Sequence, residues 1–384
     1  MEISFNGERL KKARTYRGLT VAELAQKINC QRQTVSMYEN GKSKPMDGSI
    51  VDHISEVLGF PTKFFTESDK HVITGSTYFR ALLTTNKKYR AEQIQKMEFV
   101  AEIYCYLQDY IEFPILDLPD FSGCSPEQAA QKLREAWNLG KRPIDNLIYE
   151  VEQHGILVTS FSTSTDDIDA FSQMVDVNGE MIYLIGYSNN KTSAARIHFD
   201  IAHELGHICL HEWSEDVEAL ERAEFKEREA EANRFASAFL LPKDSFRADA
   251  LRSELRIPYY TELKRKWKVS IQAMNRRAYN LGIISMAEYQ SMIRLLQRRG
   301  LRKEEPLDDV LITASPALLK TAVIMLLNEK VFTPKEFMDE LSFSYNLSLS
   351  PEEVEFLLDL PKDTLVPSKI LVFPDLQIKN KKED

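Results

Sequence analysis

The sequence HFDIAHELGHICLH, residues 198–211, decides how the rest of the chain is interpreted, because it holds four of the seven histidines. His203 and His207 are four residues apart. On a helix this spacing places both imidazole rings on one face, one turn apart, where they can bind the same metal ion. Glu204 stands beside them, and a carboxylate at that position can take a proton from a water molecule. The stretch therefore predicts a helical divalent-metal site with a general base.

The residues around this motif indicate where it lies in the fold. A pattern of five residues can arise by chance, so its context matters. Phe199, Ile201 and Ala202 are apolar and predict a buried helix. Asn-Gly at 178–179 predicts a hairpin between two of the candidate strands that precede the motif. These strands are 155–161, 172–177 and 181–186. Helical patterns continue to about residue 299, so we expect a mostly helical α+β domain with a small antiparallel sheet.

A third metal ligand is expected on a later helix. The segment 229–242 begins with Glu229, and Asn233 follows four residues later on the same helical face. Glu229 can bind zinc while Asn233 hydrogen-bonds a ligand imidazole. Two alternatives stay open at this point. Glu231 is the main rival as ligand, and Glu229 can also be one of many solvated acids on this helix.

The remaining histidines of the motif are expected to have structural roles. His211 lies one turn beyond His207, so its ring cannot easily reach the same ion, and we expect it to support the site from behind. The longer His-x-x-Gly-x-x-His pattern is excluded because Leu210 and Trp213 stand where it needs glycine and histidine. His198 is also expected to be structural, although it could reach the rim of a cleft.

The motif and its flanks resemble the ImmA/IrrE family of metallopeptidases. The resemblance covers about residues 126–282, and it implies a zincin-like fold of the gluzincin type, with Zn²⁺ held by His203, His207 and Glu229 and with Glu204 as the catalytic base. Members of this family cleave helix-turn-helix repressors and so induce stress, phage or mobile-element genes. The segments that carry the resemblance are 199–211, 229–242, Trp137–Gly140 with Pro143, Trp267–Ser270 and Arg277–Gly282.

The N-terminal segment resembles a second family, the XRE (lambda-repressor-like) helix-turn-helix proteins. Leu19–Ala25 followed by Val35–Gly41 carries this resemblance, and Thr20 with Glu23 can form a capping box. The next helix opens with side chains able to reach base edges, and two lysines follow where phosphate contacts are expected. The expected DNA-binding residues are Gln31, Arg32, Gln33, Thr34, Ser36, Lys42 and Lys44. Arg14 and Glu39 are expected to form a structural ion pair, and a helical protein-interaction domain is the alternative to DNA binding.

Composition narrows the class of protein. A length of 384 residues fits two or three domains, and 43% hydrophobic with 28% charged residues is typical of a globular chain. Residues 1–66 carry ten Lys/Arg and seven Asp/Glu, whereas the whole chain has a net charge of −9, so the head is locally basic. The four cysteines form no CxxC pair, and no apolar signal segment or membrane span stands out. We therefore expect a cytoplasmic protein.

Together these patterns predict a DNA-binding regulator that is also a zinc endopeptidase. We expect a helix-turn-helix domain at 1–66, a helical connector at 67–124, a zincin-like domain at 125–300 and a helical appendage at 301–384 that ends in a frayed tail. The expected partners are double-stranded operator DNA, a second copy of the chain and a protein substrate, which the family resemblance suggests is a repressor. The alternatives are a non-catalytic repressor or antitoxin with a toxin partner, and a self-cleaving protein. Manganese is the alternative to zinc.

Overall fold

The computed structural model of the protein describes residues 5–68, 73–79, 86–161, 169–177, 179–190, 193–213 and 220–366. Three predicted features involve residues outside these ranges: Asn178 of the hairpin turn, Arg80 of the connector and the frayed tail at 379–384. The helices and strands are given below in chain order.

The chain begins with a compact group of short helices, which start and end at the predicted caps and breaks. Thr20 accepts a hydrogen bond from the Glu23 N–H, and the Glu23 carboxylate accepts from the Thr20 N–H, so the predicted capping box is present. Gly59 ends the last full helix in the left-handed conformation, which glycine adopts without strain. The elements are α1 (Gly7–Tyr16), α2 (Val21–Lys27), α3 (Arg32–Glu39), α4 (Gly48–Leu58) and a 3₁₀ turn at Thr62–Phe65.

A four-stranded sheet with the order β1-β3-β4-β2 forms the centre of the molecule. Its central pair, β3 and β4, is the predicted antiparallel hairpin, but β2 pairs with β4 in parallel, so the sheet is mixed and not antiparallel. The outer strand β1 pairs antiparallel with β3 and was not predicted, because its sequence ITGSTYF shows no apolar alternation. The strands are β1 (Ile73–Phe79), β2 (Leu157–Phe161), β3 (Ala170–Val177) and β4 (Glu180–Ser188).

Helices cover both faces of this sheet, so the fold is mostly helical α+β as predicted. The long helix α5 (Lys87–Gln108) lies against one face, and the helix that carries the histidine motif, α8 (Ala194–Leu210), lies against the other. The remaining helices are α6 (Pro126–Ala136), α7 (Leu147–Gln153), α9 (Arg222–Leu240), α10 (Lys243–Ala250), α11 (Ile257–Trp267), α12 (Ile271–Asn280), α13 (Met286–Arg298), α14 (Leu318–Asn328), α15 (Pro334–Tyr345) and α16 (Pro351–Leu357).

Helix α5 joins the N-terminal head, the sheet and the C-terminal helices in one hydrophobic core. Lys96 shows how closely these parts meet, since its ammonium forms a 2.7 Å ion pair with Glu92 and lies within 6 Å of three aromatic ring centres. The rings belong to Tyr16 of the head, Phe161 of the sheet and Phe356 of the C-terminal region. A second core lies on the opposite face of the sheet and contains residues of α6 to α13.

A close approach of α8 and α9 fixes the geometry of the second core. A Cβ atom on Gly206 would lie 3.1 Å from both the Ala232 Cα and the Phe235 Cδ1. The absence of a side chain at Gly206 therefore lets the backbones of the two helices pack directly against each other.

We expect Gly206→Val to push these helices apart, because its side chain overfills the contact with Ala232 and Phe235. Overpacking of this kind costs about 1–3 kcal/mol in the free energy of unfolding, which urea denaturation measures. The matched control is Gly48→Val, since a Cβ on Gly48 would have no heavy atom within 4 Å. Equal stability of the two variants would show that the contact between α8 and α9 tolerates a side chain.

Candidate metal centre

Three side chains from α8 and α9 converge on one point. The Nε2 atoms of His203 and His207 are 3.1 Å apart, and the Glu229 carboxylate oxygens lie 3.4 Å from the first and 3.2 Å from the second. One potential ligand atom from each residue lies within 4.8 Å of the other two. The spacing in sequence explains this arrangement, since a separation of four residues on α8 stacks the two rings on the face that packs against α9.

The charge of Glu229 suits a cation. Burial raises the pKa of this carboxyl, but hydrogen bonds from the two imidazoles outweigh that effect and bring the pKa to about 2. The side chain of Glu229 is 16% exposed, whereas both histidines are buried. A half-buried carboxylate and two buried imidazoles form the nitrogen and oxygen donor set that Zn²⁺ binds when three protein ligands leave a position open. The residues present therefore fit a divalent metal.

Glu204 lies on a different side of α8 from the ligand set. Its Oε2 accepts a hydrogen bond from the Ser172 hydroxyl at 2.6 Å, and both residues are buried. Because Ser172 belongs to β3, this contact ties the carboxylate between the motif helix and the sheet. Sequence analysis did not identify Ser172, since a lone serine in a strand carries no signal of such a role.

The candidate ligand His207 has a partner further along the same helix. The Nδ1 atoms of His207 and His211 are 2.9 Å apart, and the His211 Nε2 lies 3.4 Å from Glu231. Burial, together with the positive charges around it, lowers the pKa of His211 to about 3, so the ring is neutral and can accept a hydrogen bond. Glu229 and Glu231, the two alternatives for the third ligand, thus lie in different positions. The Glu229 carboxylate is close to the Nε2 atoms of His203 and His207, whereas Glu231 lies beside the Nε2 of His211.

Asn233 does not make the predicted hydrogen bond to an imidazole. Its amide donates to the main-chain oxygen of Glu229 at 2.7 Å, because that carbonyl lies one turn earlier on the same helix and within easy reach. The residue whose ring nitrogen contacts the Nδ1 of His207 is His211. His198 is buried beside the Thr313 hydroxyl at 2.9 Å, and burial lowers the pKa of its ring to about 4.

A cleft of about 1190 Å³ opens beside α9, and Asn233 lines it together with Phe199. Arg277 also reaches this cleft, where both of its terminal nitrogens pair with the Glu127 carboxylate at 2.7 and 2.6 Å. Its Nε donates to the Leu241 carbonyl, so this arginine holds α12 to its neighbours. These contacts give Arg277 a role in packing.

The expected DNA-binding side chains lie on the surface of the head. Gln31, Arg32, Gln33, Lys42 and Lys44 are exposed, while Thr34 and Ser36 are half-buried. Gln31 precedes α3 as its N-cap residue, and the others belong to α3 or to the turn that follows it. The expected ion pair is also present, with 2.5 Å between the Arg14 Nε and Glu39. Arg14 therefore anchors α3 from inside the head.

Two parts of the chain match known sequence families. Residues 151–279 match a peptidase family, M78, whose description is IrrE N-terminal-like domain. Residues 10–64 match a family described as Helix-turn-helix. No curated protein matches the chain significantly. Both resemblances inferred from the sequence are thereby confirmed. Among the residues that the structure describes, none of the helices is both long and apolar enough to span a lipid bilayer.

We expect the wild-type protein to hold about one zinc ion per chain and Glu229→Ala to lose it, because the variant lacks one of three ligands. Elemental analysis after dialysis measures this directly. Glu204→Gln is the matched control, since Glu204 contacts Ser172 and lies outside the ligand set. Equal zinc content in wild type and Glu229→Ala would remove Glu229 from the site.

We also expect His211→Ala to weaken zinc binding by about 10–100-fold, as is typical when a group behind a ligand is removed. Competition with a chromogenic chelator measures the affinity. His53→Ala serves as the control because that ring lies in α4, away from the site, and is 44% exposed. Unchanged affinity in His211→Ala would mean that His207 is oriented without its neighbour.

Proposed function

We propose that this chain, a DNA-binding regulator with a peptidase-family domain, uses that domain as a zinc-dependent endopeptidase against a protein partner. The two family matches support a DNA-binding regulator with a peptidase-family domain. The endopeptidase activity is supported by the convergence of His203, His207 and Glu229 beside a buried Glu204.

Each side chain has a distinct role in the proposed reaction. His203, His207 and Glu229 hold the zinc ion, which supplies Lewis acidity that polarises the scissile carbonyl and makes water more acidic. Glu204 is the general base that accepts a proton from the attacking water and later passes it to the leaving amine. Ser172 donates to Glu204 and so fixes the direction of the carboxylate. His211 orients His207 through its Nδ1 contact.

The proposed substrate is a helix-turn-helix repressor or another partner protein, and the proposed setting is a stress, phage or mobile-element response. The resemblance to ImmA/IrrE peptidases supports this choice. The head would bring the peptidase to an operator, as a homodimer, because one such module reads few base pairs. Since operator binding requires access to DNA, we place the protein in the cytoplasm.

The peptidase proposal predicts a set of cleaved proteins that depends on Glu204. Zinc-loaded wild type and Glu204→Gln are incubated with a lysate of the host, and newly formed protein N-termini are identified by mass spectrometry. We expect a small group of cuts with wild type and at least 100-fold less product with Glu204→Gln, because that amide cannot act as a base. Identical N-termini with both proteins would leave a non-catalytic repressor or antitoxin as the better account.

The DNA-binding proposal predicts that Arg32 contacts bases or phosphates. A binding sequence is first selected from a random duplex pool with the full chain. We then expect Arg32→Ala to weaken binding to it by about 1–3 kcal/mol, as is typical for an arginine that reads a base. Lys141→Ala is the control, because Lys141 is an exposed lysine paired with Asp244, far along the chain from the head. Equal losses in both variants would indicate general charge attraction only.

A further inference from the structure

We propose that β1, residues 73–79, occupies the position of an extended peptide substrate and thereby holds the peptidase in a latent state. The inference rests on the proposed peptidase function and names both its regulation and its substrate class. That class is an unfolded or linker segment of a protein that adds to the sheet as a strand. The resident occupant is a segment of the chain itself.

The edge of the sheet that β1 covers is the edge nearest to the catalytic carboxylate. Ser172 on β3 donates to Glu204, so the motif helix and β3 meet at this contact. Its neighbours on the same face, Ala170 and Met174, pack into the core that contains α8. In the described sheet, β3 has β4 as its neighbour on one side and β1 as its neighbour on the other. A peptide that binds beside β3 must take its place.

β1 pairs with β3 in the same way that a bound peptide strand would pair with it. Seven residues, Ile73 to Phe79, pair antiparallel with Val177 to Phe171 without a break in register. Tyr78 is directly opposite Ser172, so the backbone of β1 passes one strand spacing, about 4.8 Å, from the strand that positions Glu204. Main-chain pairing with an exposed sheet edge is a general way for proteins to bind extended peptides.

The sequence of β1 suits an occupant that can leave. ITGSTYF contains Gly75 inside the strand, and a glycine there weakens a strand because it has no side chain to pack and loses more conformational entropy. The chain is anchored on both sides of this strand. Glu67 accepts hydrogen bonds from the Ser348 N–H and hydroxyl, and Asn86 caps α5. β1 can therefore separate from β3 while the head and α5 keep their own contacts.

The location of β1 between the head and α5 connects the latent state with the DNA-binding head. The strand that blocks the peptide edge is part of the connection from the DNA-binding domain to the body of the protein. Removing it frees a row of β3 main-chain donors and acceptors for a substrate strand. A partner with an extended segment that pairs better than ITGSTYF would displace β1 and present its own backbone to the site.

The first test uses a fluorescein-labelled peptide with the sequence of residues 70–82 and the zinc-loaded full chain. The variant Ser76→Pro/Thr77→Pro releases β1, because one of two adjacent strand residues must direct its N–H toward β3 and proline has none. The matched control, Ser76→Thr/Thr77→Val, keeps both N–H groups and favours a strand. Fluorescence anisotropy should show at least tenfold tighter peptide binding to the proline variant than to wild type or control.

A second variant tests the same proposal without weakening the strand. Thr77 and Gln173 are directly opposite in the register, so cysteines there lie within the Cα separation that a disulfide accepts. Oxidised glutathione should lock β1 in Thr77→Cys/Gln173→Cys and abolish hydrolysis of labelled casein, and dithiothreitol should restore it. Each single cysteine variant is the control for the native thiols of Cys30, Cys105, Cys124 and Cys209.

The outcomes separate this inference from the proposed function. Equal peptide affinity of wild type and a folded proline variant that still holds zinc would overturn the inference, as would full casein hydrolysis by the locked chain. If the proline double variant does not fold, the disulfide result decides. If release of β1 increases the affinity for the peptide but neither wild type nor the proline variant hydrolyses casein, the result would support the strand exchange and contradict the peptidase function.

Discussion

The site depends on the close packing of α8 between two different partners. On one side, the bare backbone at Gly206 lets α9 approach closely enough for Glu229 to meet both imidazoles. On the other side, Glu204 meets Ser172 of the sheet. The same helix therefore holds two candidate ligands against α9 and the Glu204 carboxylate against β3, so a movement of α8 would disturb both contacts. Buried polar groups held this way stay in one geometry because every alternative leaves them without partners.

Helix α5 extends this constraint to the rest of the molecule. Its buried Lys96 contacts aromatic rings from the head, the sheet and the C-terminal helices while it remains paired with Glu92. Separating any of these parts would expose the buried ion pair or leave one charge unpaired, which is costly. The DNA-binding head and the peptidase sheet thus share one hydrophobic core.

Much of the fold could be predicted because local chemistry determined it. The cap at Thr20, the spacing of His203 and His207, and the strands before the motif each follow from short-range patterns. What could not be predicted depends on contacts between distant segments. The parallel pairing of β2, the role of Ser172 and the presence of β1 arise only when residues far apart in sequence meet. The hydrogen-bond partner of Asn233 was predicted wrongly because a main-chain oxygen of its own helix is a nearer acceptor.

Two imidazoles and one carboxylate are proposed to form a zinc site in this DNA-binding protein. X-ray absorption at the zinc edge of the loaded full chain tests it most directly. We expect two imidazole nitrogens at about 2.0–2.1 Å, further light-atom scattering from a carboxylate oxygen, and no sulfur shell near 2.3 Å. A sulfur shell, or a spectrum with oxygen ligands and no imidazole, would contradict the assignment of His203, His207 and Glu229 as the ligands.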